Sequence, residues 1–301
     1  MIWLTWRQHR KQGLVTLLGL AALAAFVVPS GLAMRHAYRT LGATEFSDAY
    51  GSWALAGALF LVLPPLVGLF WGAPVIAREV EQGTHRMIWT QGISRRRWAL
   101  AKAGLLGAAA ALLSLVYGLG LAWWYWPLGQ IDPRETRFAA VFFDMQGVAP
   151  VGYTIFAVAL GVFAGTVLPK VLPAMALTLA GFAGVRLAVA LFARPHYRSP
   201  VAVDQLVQGA SGKPSGALAG SWVLAKEVRR ADGTFVTSGT FRCPSTGACA
   251  GVSDLGPGAY NHQIIQPGDR FWAFQWIGLG IFVALAALLV WLAVRRIRRI
   301  A

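Results

Sequence analysis

Long apolar runs alternate along this chain with short, charged connectors. Six runs are long enough to cross a bilayer: residues 13–34, 53–76, 103–126, 148–168, 171–193 and 271–294. About 20 predominantly apolar residues span roughly 30 Å of hydrocarbon as a helix, which satisfies its own backbone hydrogen bonds. The pattern predicts an all-α polytopic membrane protein with six transmembrane helices. Only Pro169 and Lys170 separate the fourth and fifth runs, so a tight hairpin is expected there. Pro64 and Pro65 predict a bend in the second run.

Composition supports the membrane class. Of 301 residues, 56% are hydrophobic and 13% charged, whereas a soluble domain carries roughly 25% charged residues. The net charge of +15 would point to nucleic acid in a soluble chain. Here the basic residues flank apolar runs, where they set topology and meet anionic membrane lipid. No nucleic-acid-binding motif is present, and no nucleic-acid partner is expected.

The start, "MIWLTWRQHRKQ", lacks the plan of a cleaved signal. It predicts an amphipathic interfacial helix over residues 1–12, with Ile2, Trp3 and Trp6 dipping into the membrane and Arg7, Arg10 and Lys11 outside. Orientation follows from Lys and Arg in the short connectors. With both termini cytoplasmic, the inner segments hold fourteen against four outside. The expected location is the cell membrane, multi-pass. The expected division is residues 1–12, spans 1–5 over 13–193 with a cytoplasmic segment at 77–102, an extracytoplasmic loop at 194–270, and the last span with a basic tail at 271–301.

The long loop contains "WVLAKEVRRADGTFVTSGTF", which predicts two short strands around an Asp232–Gly233 turn. Both cysteines of the chain, Cys243 and Cys249, lie in this loop. An oxidising compartment favours a disulfide between them. A metal site combining the pair with His262 is the other arrangement these residues allow.

Several chemistries are missing. There is no P-loop; "GASGKPS" at 209–215 has the wrong spacing and falls on the outer side. H-E-x-x-H and G-x-S-x-G are also absent, and no catalytic residue, cofactor or metal ligand is assigned to this chain. No Asp or Glu lies within any of the six runs, although ion-coupled carriers usually need one there. Arg186, about two turns from the outer end of the fifth run, is the one charge inside a run. It is expected to snorkel or to bond a carbonyl, with a substrate role as the alternative.

The segment from Arg78 to Lys102, "REVEQGTHRMIWTQGISRRRWALAK", concentrates the chain's charge. Glu79 and Glu81 sit at the inner end of the second run, and Gly83 with Thr84 can end the helix. Met87, Ile88 and Trp89 form an apolar group suited to a partner's groove. Arg95, Arg96 and Arg97 begin the return to the membrane.

This segment resembles the intracellular connector between spans two and three of ABC-2-type transporter permeases, where a short coupling helix touches the ATPase. "TWRQHR" and "QPGDRFWAFQWI" are similar to the actinobacterial permease subunits of this class. Where such subunits often carry an acidic residue after the last motif, this chain has Gly278. The resemblance implies a permease that pairs with a second copy and docks an ABC ATP-binding subunit through Glu79, Glu81, Gly83, Thr84, Met87–Trp89 and Arg95–Arg97. ATP and Mg would be bound by that subunit. It also implies that the first twelve residues form a connecting helix, and that a hydrophobic or amphipathic compound (a drug, antibiotic or lipid) is exported by alternating access. Two other readings remain: a membrane sensor whose outer loop binds a ligand, and an ion-coupled carrier.

Overall fold

The computed structural model describes residues 2–53, 57–82, 95–130, 137–207, 218, 220–241, 255 and 258–297. Among them, six helices are long and apolar enough to cross a membrane: Gly13–Thr40, Gly57–Glu79, Leu100–Tyr125, Ala149–Val167, Val171–His196 and Gly268–Ile297. Each overlaps one apolar run of the sequence.

Helix α1 (Ile2–Thr40) runs from the N-terminal segment through the first span without a break. Its 39 residues extend about 58 Å at 1.5 Å per residue, well beyond the roughly 30 Å hydrocarbon layer. The segment expected to form an interfacial helix is thus the end of this longer helix. A short helix α2 (Ala43–Tyr50) follows.

The second span changes pitch along its length. It starts as a 3₁₀ turn (Gly57–Val62), continues as α3 (Leu63–Val67), widens into a π-helical turn (Gly68–Gly72), and ends as α4 (Ala73–Glu81). Pro64 and Pro65 occupy the first turn of α3, where a missing N–H costs the helix least. The irregularity expected from the prolines is therefore a sequence of pitch changes.

Helix α5 (Arg95–Tyr125) forms span 3. Helix α6 (Ala140–Met145) leads to α7 (Ala149–Val167), which is span 4. After the hairpin comes α8 (Val171–Ala188), prolonged by a π turn (Val189–Ala193) and a 3₁₀ turn (Arg194–His196) as span 5. Helix α9 (Phe271–Ile297) is span 6.

Span 4 is the hub. Its apolar window is 78% buried, against 17% for span 1 and 11% for span 5. Spans 2, 3, 5 and 6 all pack on it. Lipid gives no hydrophobic drive for helices to associate, so close backbone contact must supply the attraction, and small residues permit it. Gly68 and Gly72 of span 2 lie against Ala157, Val158 and Gly161 of span 4, and Gly165 of span 4 lies against Ala73 and Ala77 of span 2. A Cβ on Gly72 would stand 2.6 Å from Val158 O, and one on Gly161 2.6 Å from Gly68 O. Ala73, Ala77, Ala164 and Ala174 extend this tightly packed seam to span 5.

The loop before span 6 folds further than expected. Four antiparallel strands, β1 (Val201–Leu206), β2 (Trp222–Arg229), β3 (Phe235–Ser238) and β4 (Tyr260–Gln266), make one sheet of order β1-β4-β2-β3. The β2–β3 hairpin turns at Asp232–Gly233 as its sequence predicts. Gly233 has φ +86°, a conformation glycine adopts without steric cost, and Asp232 Oδ1 accepts from Thr234 N at 2.9 Å. Gln266 anchors the sheet to the bundle, donating from Nε2 to Arg198 O at 2.6 Å. Cys243 and Cys249 lie outside the described residues.

Candidate functional site

Polar side chains tie the spans together at the two ends of the bundle. At the end carrying the termini, Glu79 of span 2 forms an ion pair with Lys102 of span 3. Both side chains are mostly buried, so separating them would strand a charge in a poorly solvated place. Two residues on, Glu81 Oε2 accepts from Val171 N at 3.2 Å. Val171 opens α8, where the first N–H groups lack helical acceptors and the helix dipole favours an anion. A third tie joins spans 6 and 4, with Arg296 Nε donating to Thr166 O at 3.2 Å. There a cation meets the unsatisfied carbonyls at a helix C-terminus.

The structure thus gives both glutamates intramolecular partners. It brings together the two ends of the segment that sequence reasoning singled out, with Glu79 near the end of α4 and Lys102 two turns into α5. The backbone of Arg95, Arg96 and Arg97 forms the first turn of α5. Gly83, Thr84, Met87, Ile88 and Trp89 lie outside the described residues.

At the opposite end, the sheet covers a charged cluster. Asp144 sits near the end of α6 and is buried. Its Oδ2 accepts from Arg186 Nη2 at 2.6 Å, and its Oδ1 accepts from the Tyr153 hydroxyl at 2.7 Å. Arg194 Nη1 lies 4.0 Å from Oδ1. The expectation that Arg186 snorkels or bonds a carbonyl is corrected here: among the described residues its guanidinium pairs with the Asp144 carboxylate. A carboxylate from a short helix outside the apolar runs folds back to meet it, which relieves the cost of an unpaired intramembrane charge.

Arg194 is itself buried between aromatic rings, 3.7 Å from the Phe143 centroid and 4.9 Å from that of Trp222. Trp222 opens β2 and stacks on Phe138, so the sheet closes over the cluster. Just past span 5, burial pushes the Tyr197 phenol up to about 12. Gln275 of span 6 completes the arrangement. Its Oε1 accepts from Ala149 N at 2.7 Å, at the start of span 4, and its Nε2 donates to Phe143 O at 2.9 Å. Asp144 and Gln275 escaped the sequence reading. The signals that could have found them were an acidic residue just before a span and an intramembrane arginine without a partner.

Among the described residues no group of three His, Cys, Asp or Glu is placed to hold a metal ion. His262 Nδ1 contacts Asp204 Oδ1 across strands β4 and β1 at 2.5 Å.

A six-span helical bundle with a buried hub and polar ties at both ends is a multi-pass membrane protein. A family model described as ABC-2 membrane transporter related matches residues 17–194, and the chain belongs to that family. It is accordingly the permease component of an ABC transporter, working with an ABC ATP-binding partner subunit. Comparison with curated proteins and with solved structures finds no match.

Proposed function

We propose that this chain exports a hydrophobic or amphipathic compound across the cell membrane, as one of two permease copies driven by separate ATP-binding subunits. Its termini and coupling segment face the cytoplasm. The observation that carries the reading is the pair of bonds at the base of that segment: Glu79 joins span 2 to span 3, and Glu81 joins span 2 to span 5. Force applied to the residues between α4 and α5 would reach three spans through them. Docking falls to Met87, Ile88 and Trp89 with Gly83 and Thr84, while Glu79 and Glu81 pass the movement on.

Arg95, Arg96 and Arg97 fit this division. Cations in the first turn of a helix oppose its dipole, by about 0.3 kcal/mol or more each. No acidic residue shares that turn. An anionic surface, from headgroups or the ATPase, would offset the cost. Alternating access then requires two states that the partner's nucleotide cycle weights differently.

The test is efflux of a lipophilic dye from cells expressing the chain with its ATP-binding subunit. Export should stop when ATP is depleted and persist when an uncoupler collapses the proton gradient at constant ATP. Efflux that follows the proton gradient would overturn the reading in favour of an ion-coupled carrier.

A further inference from the structure

Spans 3 and 6 each pack more extensively on span 4 than on each other. Over the hub they leave a groove of about 730 Å³. Gly104, Gly107 and Ala111 of span 3 line it, with Val283 and Val290 of span 6 and Val158 of span 4. A Cβ on Gly104 or Gly107 meets nothing within 4 Å, so no side chain of the described residues fills the space beside them. Along span 6 the lining runs from Val283 to Arg295, about 18 Å at 1.5 Å per residue. That is close to half of the roughly 30 Å hydrocarbon layer, the depth of one leaflet.

One charge stands in this apolar lining. Among the described residues that line the groove only Arg295 is charged, and it lies at the end of the bundle that carries the termini. Arg295 is exposed and takes part in no salt bridge among the described residues. Its guanidinium lies over the Trp291 ring, 3.8 Å from the centroid. A guanidinium stacked on an aromatic face keeps its N–H edge for a phosphate. Trp291 is itself exposed, as aromatic residues at headgroup level are. The neighbouring Arg296 is already committed to Thr166 O.

We propose that the groove holds an anionic phospholipid of the leaflet on that side, with one acyl chain along spans 3, 4 and 6 and its phosphate on Arg295. Basic pockets between spans bind such headgroups, and the guanidinium–phosphate bond is charge-assisted. A zwitterionic lipid would bring an ammonium group as well, for which the described lining offers no carboxylate. A second copy docked here about a twofold axis would bring its own Arg295 to the same level, setting like charges together at the rim. A lipid phosphate instead neutralises the one charge present. The site requires only that the bundle sit in a bilayer, whatever compound the chain exports.

The test is photolabelling of the full chain in phosphatidylcholine nanodiscs that carry a trace of phosphatidylglycerol with a diazirine on one acyl chain. Label should concentrate on peptides of spans 3, 4 and 6 that line the groove. Phosphatidylcholine bearing the same diazirine should label them about tenfold less, the worth of one charge-assisted hydrogen bond. Arg295→Gln should abolish that preference. Lys170→Gln removes the same charge from an exposed position at the same end of the bundle and should leave the preference intact. Gly107→Leu, which has room for its side chain, should fill the groove and block labelling by both lipids. Equal labelling by the two lipids, a preference that survives Arg295→Gln, or label spread evenly over all six spans would overturn the proposal. So would a disulfide between two copies of a Gly107→Cys variant, which would give the groove to a second chain. Assembly of the wild-type chain with its ATP-binding subunit tests the exporter reading separately, and its failure would not alter the labelling outcome.

Discussion

Arg186 Nη2 donates to Asp144 Oδ2 at 2.6 Å, joining span 5 to the short helix that precedes span 4. Arg194 approaches the same carboxylate from the end of span 5, and Tyr153 donates to it from span 4. One buried carboxylate therefore holds three elements and neutralises part of two guanidinium charges. Removing one member of a buried ion pair typically costs about 3–5 kcal/mol, because it strands the other charge. Asp144→Asn should lower the thermal unfolding midpoint in detergent markedly. Asp144→Asn with Arg186→Gln should recover part of the loss. A single variant as stable as wild type would contradict the pairing.

The Glu79–Lys102 tie makes a separable statement. Glu79→Lys should weaken stimulation of the ATP-binding subunit's hydrolysis by about tenfold, and Glu79→Lys combined with Lys102→Glu should restore most of it. If Glu79 instead met the ATPase directly, the exchanged pair would stay defective. A rate assay on the three reconstituted complexes distinguishes the two roles.

The glycine seam between spans 2 and 4 should tolerate no side chain. Gly161→Leu places its Cβ 2.6 Å from backbone atoms of span 2. Gly107 of span 3 is a control, since a Cβ there meets nothing within 4 Å. Gly161→Leu should give aggregated protein on size-exclusion chromatography, and Gly107→Leu a single symmetric peak. Equal behaviour of the two would count against the close approach.

Asp232 supplies a pH prediction outside the membrane. Hydrogen bonds from the Thr234 N–H and hydroxyl to its carboxylate hold its pKa below the usual carboxylate value. A lowered folded-state pKa stabilises the hairpin above the unfolded value, near 3.9. That contribution is lost as pH falls through the lower folded value. Amide exchange at Thr234 should quicken below about pH 4 beyond the trend of neighbouring amides. Asp232→Asn should remove the excess.

The spans were legible because an uninterrupted apolar run of about 20 residues suits a bilayer and little else. The β2–β3 hairpin was legible because Asp232–Gly233 is a local turn signal. The pairing of β1 with β4 was not, since it joins Val201 to Ile265 across a long loop and neither strand marks its partner. The charged cluster was hidden for the same reason. Asp144 lies outside every apolar run, and only the fold of α6 brings it back to Arg186. Glu79 and Glu81 stood out by their position, but their bonds to Lys102 and Val171 depend on how spans 2, 3 and 5 pack.

Hydrolysis by the purified ATP-binding subunit, measured with and without this chain in nanodiscs, bears on the whole proposed mechanism. The permease alone should hydrolyse no ATP, and adding it should stimulate the subunit. Met87→Ala, Ile88→Ala and Trp89→Ala together should remove that stimulation while the chain keeps its wild-type unfolding midpoint. Hydrolysis by the permease alone, or undiminished stimulation by the triple variant, would contradict force transfer through the segment between α4 and α5.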